Sequence, residues 1–140
     1  MWIRASFAFG CILKDMKSWS KSRSFSDAMR YAVRGLALAS SREQNVRIQV
    51  TIGTLVVCIL LFLRGSFRDI AIIVFCVVLI VTLEMVNTCL ELLADALHPE
   101  YSTSIRDMKD IAAGAVLFTS MGVTVVGLIV FLGTIQRYFL

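Results

Sequence analysis

Proline and histidine each occur once in the 140 residues, as Pro99 and His98, and only 17% of the chain is charged. So little proline leaves nothing to break long helices before position 99. The four cysteines, Cys11, Cys58, Cys76 and Cys89, have no short paired spacing and a single histidine to join them, which argues against zinc and against a disulfide framework. The net charge of +4 could suggest nucleic acid, but no folded basic domain remains once the apolar segments are assigned. Nucleic acid is therefore not expected as a partner, and anionic lipid headgroups are the simpler match for the basic residues.

Apolar sequence is what the chain has in abundance: 58% of it is hydrophobic and the mean hydropathy is +0.80. These values predict an integral membrane protein. Ile48 to Leu63 is free of charge between Arg47 and Arg64, short for a span of about 20 residues unless those arginines snorkel. Ile70 to Leu83 continues to about Leu97, longer than a hydrocarbon core of roughly 30 Å requires, so its far end should reach the headgroups. Ile111 to about Gln136 forms a third span, with Gly114, Gly122 and Gly127 open to close helix contact. Between Arg4 and Arg47 lie nine Lys or Arg against three acids, whereas the Arg64–Asp69 turn carries two Arg. This bias places the N-terminus in the cytoplasm, the 64–69 turn outside and the 98–110 loop back in the cytoplasm.

The second apolar run contains a set of residues that hydrocarbon does not welcome. Glu84, Asn87, Glu91 and Asp95 fall at offsets of three, seven and eleven, a narrow stripe on one helix face. An ionisable group near the bilayer centre costs roughly 2.5–3.5 kcal/mol on insertion scales and commonly marks a substrate route or a catalytic centre. One such residue could simply hold helices together. Three carboxylates and an amide on one stripe favour a site, and carboxylates of this kind can hold magnesium.

Two flanking segments extend the pattern. Phe25, Met29, Ala32, Val33 and Leu36 share one face while Asp27, Arg30, Arg34 and Ser41 oppose them, which predicts an amphipathic helix over about 25–43 on the inner leaflet. Residues 1–24 are a basic, serine-rich extension. Their apolar stretch, Ile3 to Leu13, is interrupted by Arg4 and lacks a clear cleavage site, so no signal peptide is expected and Met16 marks the more ordinary start. After the second span, Lys109 and Asp110 are expected to open the third helix, with Asp107 or Asp110 as a cap. The positive helix end and the lysine together would then form a seat for phosphate.

Three blocks resemble the small prokaryotic diacylglycerol kinase family, which includes undecaprenol kinases. They are Phe25-x-x-Ala28-x-x-Tyr31-x-x-x-Gly35 with Glu43-x-Asn45-x-Arg47; Glu84-x-x-Asn87-Thr-x-x-Glu91-x-x-x-Asp95; and Lys109-Asp110-x-Ala-Ala-Gly114-Ala-Val. The match runs from about Phe25 to the C-terminus, and the absence of a Walker A loop or protein-kinase motifs agrees with it. The resemblance implies an all-α membrane protein: an N-terminal amphipathic surface helix plus three transmembrane helices at about 47–64, 69–97 and 110–136, assembled as a homotrimer in the bacterial inner membrane. It implies magnesium-dependent transfer of phosphoryl from ATP to a lipid alcohol, either diacylglycerol or undecaprenol. In that family the residue matching Glu84 is the general base, supported by the one matching Asn87. Those matching Glu43 and Glu91 hold magnesium, and those matching Lys109 and Asp110 contact the nucleotide. By position Tyr31, Glu100 and Tyr101 join the nucleotide part, and Ala28 lies where the lipid approaches. The Asn45-x-Arg47-Ile48 pattern looks more like the undecaprenol branch, whereas Gln49 replaces a histidine or acid of some members.

The residue types suit this chemistry independently, because phosphoryl transfer asks mainly for positioning and charge neutralisation. Two other classes compete. A proton or ion transporter would need polar groups continuing through Ile70–Leu83, where only Cys76 and Thr82 approach polarity. A non-catalytic scaffold would leave the carboxylates, Lys109 and the surface helix without a common purpose.

Overall fold

The computed structural model describes residues 24–97 and 102–139, and everything described is helical apart from short connections. Four helices follow in order: α1 (Phe25–Arg42), α2 (Gln44–Phe62), α3 (Phe67–Leu97) and α4 (Thr103–Phe139). The last three are each long and apolar enough to cross a membrane. Their flanks leave large apolar side chains such as Leu55, Phe75 and Phe118 exposed, a surface suited to hydrocarbon rather than water.

The chain divides into two compact units, one ending at Ala37 and the other running from Leu38. Within the first, Ser24 precedes α1, and the Asp27 carboxylate accepts from Arg30 at 2.8 Å, an i,i+3 pair that suits the start of a helix. The Arg30 guanidinium lies 5.7 Å from the centre of the Tyr31 ring.

The second unit begins with the last turn of α1. There the chain breaks at Glu43, whose backbone is extended (φ −98°, ψ 116°) and whose N–H donates to the Ala39 carbonyl at 2.9 Å. Arg47 stabilises the break from the next helix, donating to the carbonyls of Ser40 and Ser41 at 3.1 Å each. Those are carbonyls that the end of α1 leaves without helical partners.

α2 packs on α3 through Val46, Gly53 and Leu60, and α3 packs on α4 through Ile73, Val130 and Thr134. Leu60, Ile73 and Val130 form the apolar core, with Val56, Val57, Ile70, Val77 and Phe131 around them. This core sits near the α2–α3 turn. The turn closes α2 with paired bonds from Gly65 N–H to the Leu60 carbonyl (2.7 Å) and from Arg64 N–H to the Leu61 carbonyl (3.1 Å). That pattern requires a left-handed residue, and Arg64 supplies it at φ 52°.

Ser66 then starts α3 with a reciprocal cap: Asp69 N–H donates to Ser66 Oγ at 3.3 Å, and Ser66 N–H donates to Asp69 Oδ2 at 3.1 Å. The same carboxylate oxygen accepts from Thr134 Oγ1 at 3.2 Å and pairs with Arg137, tying the start of α3 to the end of α4.

The sequence places the third membrane helix too late. α4 starts at Thr103, seven residues before the expected boundary, because Thr103 to Asp110 contains neither proline nor glycine and nothing in it opposes helix. Lys109 and Asp110 accordingly lie in the second turn, and neither Asp107 nor Asp110 caps the helix. Ser102 stands at the start instead, its carbonyl accepting from Arg106 N–H at 3.0 Å. Residues 1–23, with the basic extension, and residues 98–101, with Glu100 and Tyr101, lie outside the described residues.

Two tests follow from the packing. A Cβ on Gly53 would overlap the stiff, β-branched side chain of Val77. Gly53→Ala should lower stability in detergent micelles by about 1–3 kcal/mol, and adding Val77→Ala should recover most of the loss. Asp69→Ala should cost about 1–3 kcal/mol in the same denaturation assay, because it strips a cap and leaves the buried Thr134 hydroxyl short of an acceptor.

Candidate functional site

The polar stripe of α3 begins on the face that α3 buries and runs outward from it. Ile73, Cys76, Ile80, Glu84, Thr88 and Ala94 are its buried residues, a helical repeat that carries Glu84 into the interior. Glu84 is only 3% exposed. Its Oε1 accepts a hydrogen bond from Asn45 Nδ2 at 2.7 Å, across the α2–α3 interface. Thr88 Oγ1 donates at 3.0 Å to the Glu84 backbone carbonyl rather than to its side chain. The second carboxylate oxygen is thus left free of protein donors among the described residues.

One turn nearer the end of α3, Asn87 turns its amide along the helix. Its Nδ2 donates to Glu91 Oε1 at 2.9 Å, and its Oδ1 is buried without a partner. An unpaired buried amide oxygen costs free energy unless a ligand, ion or water meets it. Two turns beyond Asn87, Asp95 forms an ion pair with Lys109 of α4. The register that brings Lys109 to this end of α3 comes from the antiparallel α3–α4 packing.

Glu84, Asn87, Glu91 and Asp95 therefore form a ladder, each held by a different partner: Asn45, Glu91, Asn87 and Lys109. Glu43 is half-buried at the α1–α2 break, two residues before Asn45. Asp110 is exposed and pairs with Arg106 at 3.6 Å, a surface pair that contributes little to stability. Ala28 and Tyr31 belong to the N-terminal unit.

Among the described residues no three His, Cys, Asp or Glu side chains form a metal cage. The donor set does fit a hard, oxygen-liganded cation that takes the rest of its shell from phosphate and water. Glu91 offers a carboxylate, and the orphaned Asn87 oxygen beside it adds a neutral one.

Sequence reasoning missed Asn45 as a member of the site, although it stands in the first quoted block. A usable signal was present: Asn45, Gln49 and Gly53 recur every fourth residue along α2, the face that meets α3. Gln49 Oε1 is likewise buried without a partner.

A diacylglycerol kinase of Synechocystis sp. is 29% identical over 111 residues, which cover 79% of this chain and 63% of that relative. The chain thus matches less than two thirds of that protein's length. No solved structure matches. The family model described as prokaryotic diacylglycerol kinase matches residues 30–131, a stretch that contains Glu43, Glu84, Asn87, Glu91, Lys109 and Asp110, and the chain belongs to that family.

Proposed function

We propose that this chain is a membrane-embedded kinase that transfers the γ-phosphoryl group of ATP to the hydroxyl of a lipid alcohol, diacylglycerol or undecaprenol. The observation that carries the reading is the Glu84 carboxylate, buried in an apolar helix with one oxygen held and the other free of donors among the described residues. The family assignment supports the same chemistry, and the relative's name specifies diacylglycerol.

In this reading the lipid hydroxyl reaches Glu84 from the bilayer. As its oxygen bonds to the γ-phosphorus, its proton passes to the Glu84 carboxylate, and the bond from that phosphorus to the β–γ bridging oxygen breaks to release ADP. Asn87 acts beside the base, holding Glu91 in place through its amide. Glu91 and Glu43 would hold magnesium, which when bound neutralises the phosphate oxygens. Lys109 and Asp110 contact the nucleotide, with the Asp95 ion pair setting the lysine's position. The family resemblance adds Tyr31, Glu100 and Tyr101 to the nucleotide contacts and Ala28 to the lipid path.

The basic N-terminal third supports a bacterial inner-membrane protein with a cytoplasmic N-terminus, which delivers ATP to the same end of the bundle as the stripe. A homotrimer, with sites shared between protomers, agrees with the α4 face at Gly114 and Gly122, where a Cβ would meet nothing within 4 Å.

Purified protein in mixed micelles with magnesium and γ-labelled ATP, offered the two alcohols in parallel, should label one of them. Glu84→Gln should lower kcat by about 100-fold to 10,000-fold, the range of a lost general base, with ATP binding retained. Glu43→Gln and Glu91→Gln should instead raise the magnesium concentration needed for nucleotide binding. Folded protein that labels neither lipid would overturn the assignment.

A further inference from the structure

We infer that Asn45 is a positioning residue for Glu84, fixing which oxygen of the proposed base is free to take a proton; the inference rests on the lipid kinase reading. Three observations meet at this residue. Its amide nitrogen donates to Glu84 Oε1 at 2.7 Å, and among the described residues no other side chain donates to that carboxylate. Glu84 is almost fully buried while Asn45 stands exposed at the edge of the interface, so the amide is the one protein donor that reaches the carboxylate from the solvated side among the described residues. Asn45 also sits in the first turn of α2, two residues after the extended break at Glu43.

This location is itself held. Arg47 fastens the start of α2 to the end of α1, and the close contact of Gly53 with Val77 sets the height of α2 against α3. The amide therefore reaches Glu84 from a rigid element. A glutamate has three rotatable side-chain bonds, and an unheld one samples several orientations. With Oε1 occupied by an N–H donor, Oε2 is the oxygen left for the lipid hydroxyl. Glu43, proposed to hold magnesium, lies at the break just before this turn, so one short segment carries both a proposed metal ligand and the donor that orients the base.

A role limited to gluing helices would also produce an Asn–Glu hydrogen bond between them. The two differ in what substitution does to kinetics. Asn45→Ala and Asn45→Leu remove the donor with opposite effects on volume, so a misfolding fault in one variant leaves the other readable. Each is measured as full-length protein in mixed micelles for kcat, KM for ATP and thermal stability, beside Glu84→Gln. If Asn45 positions the base, kcat falls by about tenfold or more, the scale of one hydrogen bond to a charged group, while KM for ATP stays within about twofold.

Wild-type kcat in either folded variant, with or without lowered stability, overturns the inference. So does a change confined to KM, or the failure of both variants to fold, which would assign Asn45 to packing alone. Those outcomes leave the kinase reading intact provided Glu84→Gln is inactive. An active Glu84→Gln protein would instead remove the base assignment on which the inference stands.

Discussion

A carboxylate buried between apolar helices dictates much of how this protein is built. Glu84 occupies a position that hydrophobic packing would give to leucine or isoleucine, and burying it uncompensated would cost several kcal/mol. The compensation comes from a neighbouring helix, through Asn45, and requires α2 to stand at one height against α3. Gly53 permits the approach and Val77 fills the space beside it, so the apolar contact and the polar one specify the same register. An amide suits this place better than a lysine or arginine, because it holds a carboxylate oxygen without bringing a second charge into the interior.

The bundle divides its tasks along its length. At the α2–α3 turn, Leu60, Ile73 and Val130 supply close apolar packing, while Asp69 gathers a helix cap, a buried hydroxyl and an arginine onto one oxygen. That end is over-determined and has its polar groups paired. The opposite end carries the Glu84–Asp95 ladder, and two buried amide oxygens, those of Asn87 and Gln49, have no protein partner. Among the described residues, the buried side-chain groups without a partner lie toward one end, which is what a binding site in a rigid frame requires.

Much of this was legible in the sequence because membrane helices are specified by long-range averages. Apolar runs gave three spanning helices, and a 3.6-residue repeat put Glu84, Asn87 and Glu91 on one face. What the averages could not supply were events at helix ends. Thr103 to Asp110 is polar and reads as loop, yet its residues are unobjectionable in a helix and α4 simply continues through them. The break at Glu43 carries neither proline nor glycine and depends on Arg47 reaching back to two carbonyls, a contact no local pattern announces. Asn45 was hidden for a related reason. An amide two residues after an acid at the foot of a span looks like interfacial solvation until the neighbouring helix is in place.

The reach of the ladder also explains why four polar residues were needed where one base would take the proton. The lipid hydroxyl is confined to the bilayer and a nucleotide to water, so the proposed reaction must bring together groups that partition to opposite sides of the headgroup layer. Along α3 the groups run from buried Glu84 through half-buried Asn87 and Glu91 to exposed Asp95, a rise of about 16 Å for eleven residues. Each step outward is better solvated, and each carboxylate along it has its own partner. Under the proposed function, a membrane-spanning helix thereby turns depth into a sequence of chemical environments: a dry place for the proton, an intermediate one for the metal and phosphates, and a wet one where Lys109 would meet an anion arriving from solution. In the proposed reaction, moving Glu84 one turn outward would set the base at the better-solvated level proposed for the phosphates, and moving it one turn inward would bury it at Ile80, a turn farther from Asn45.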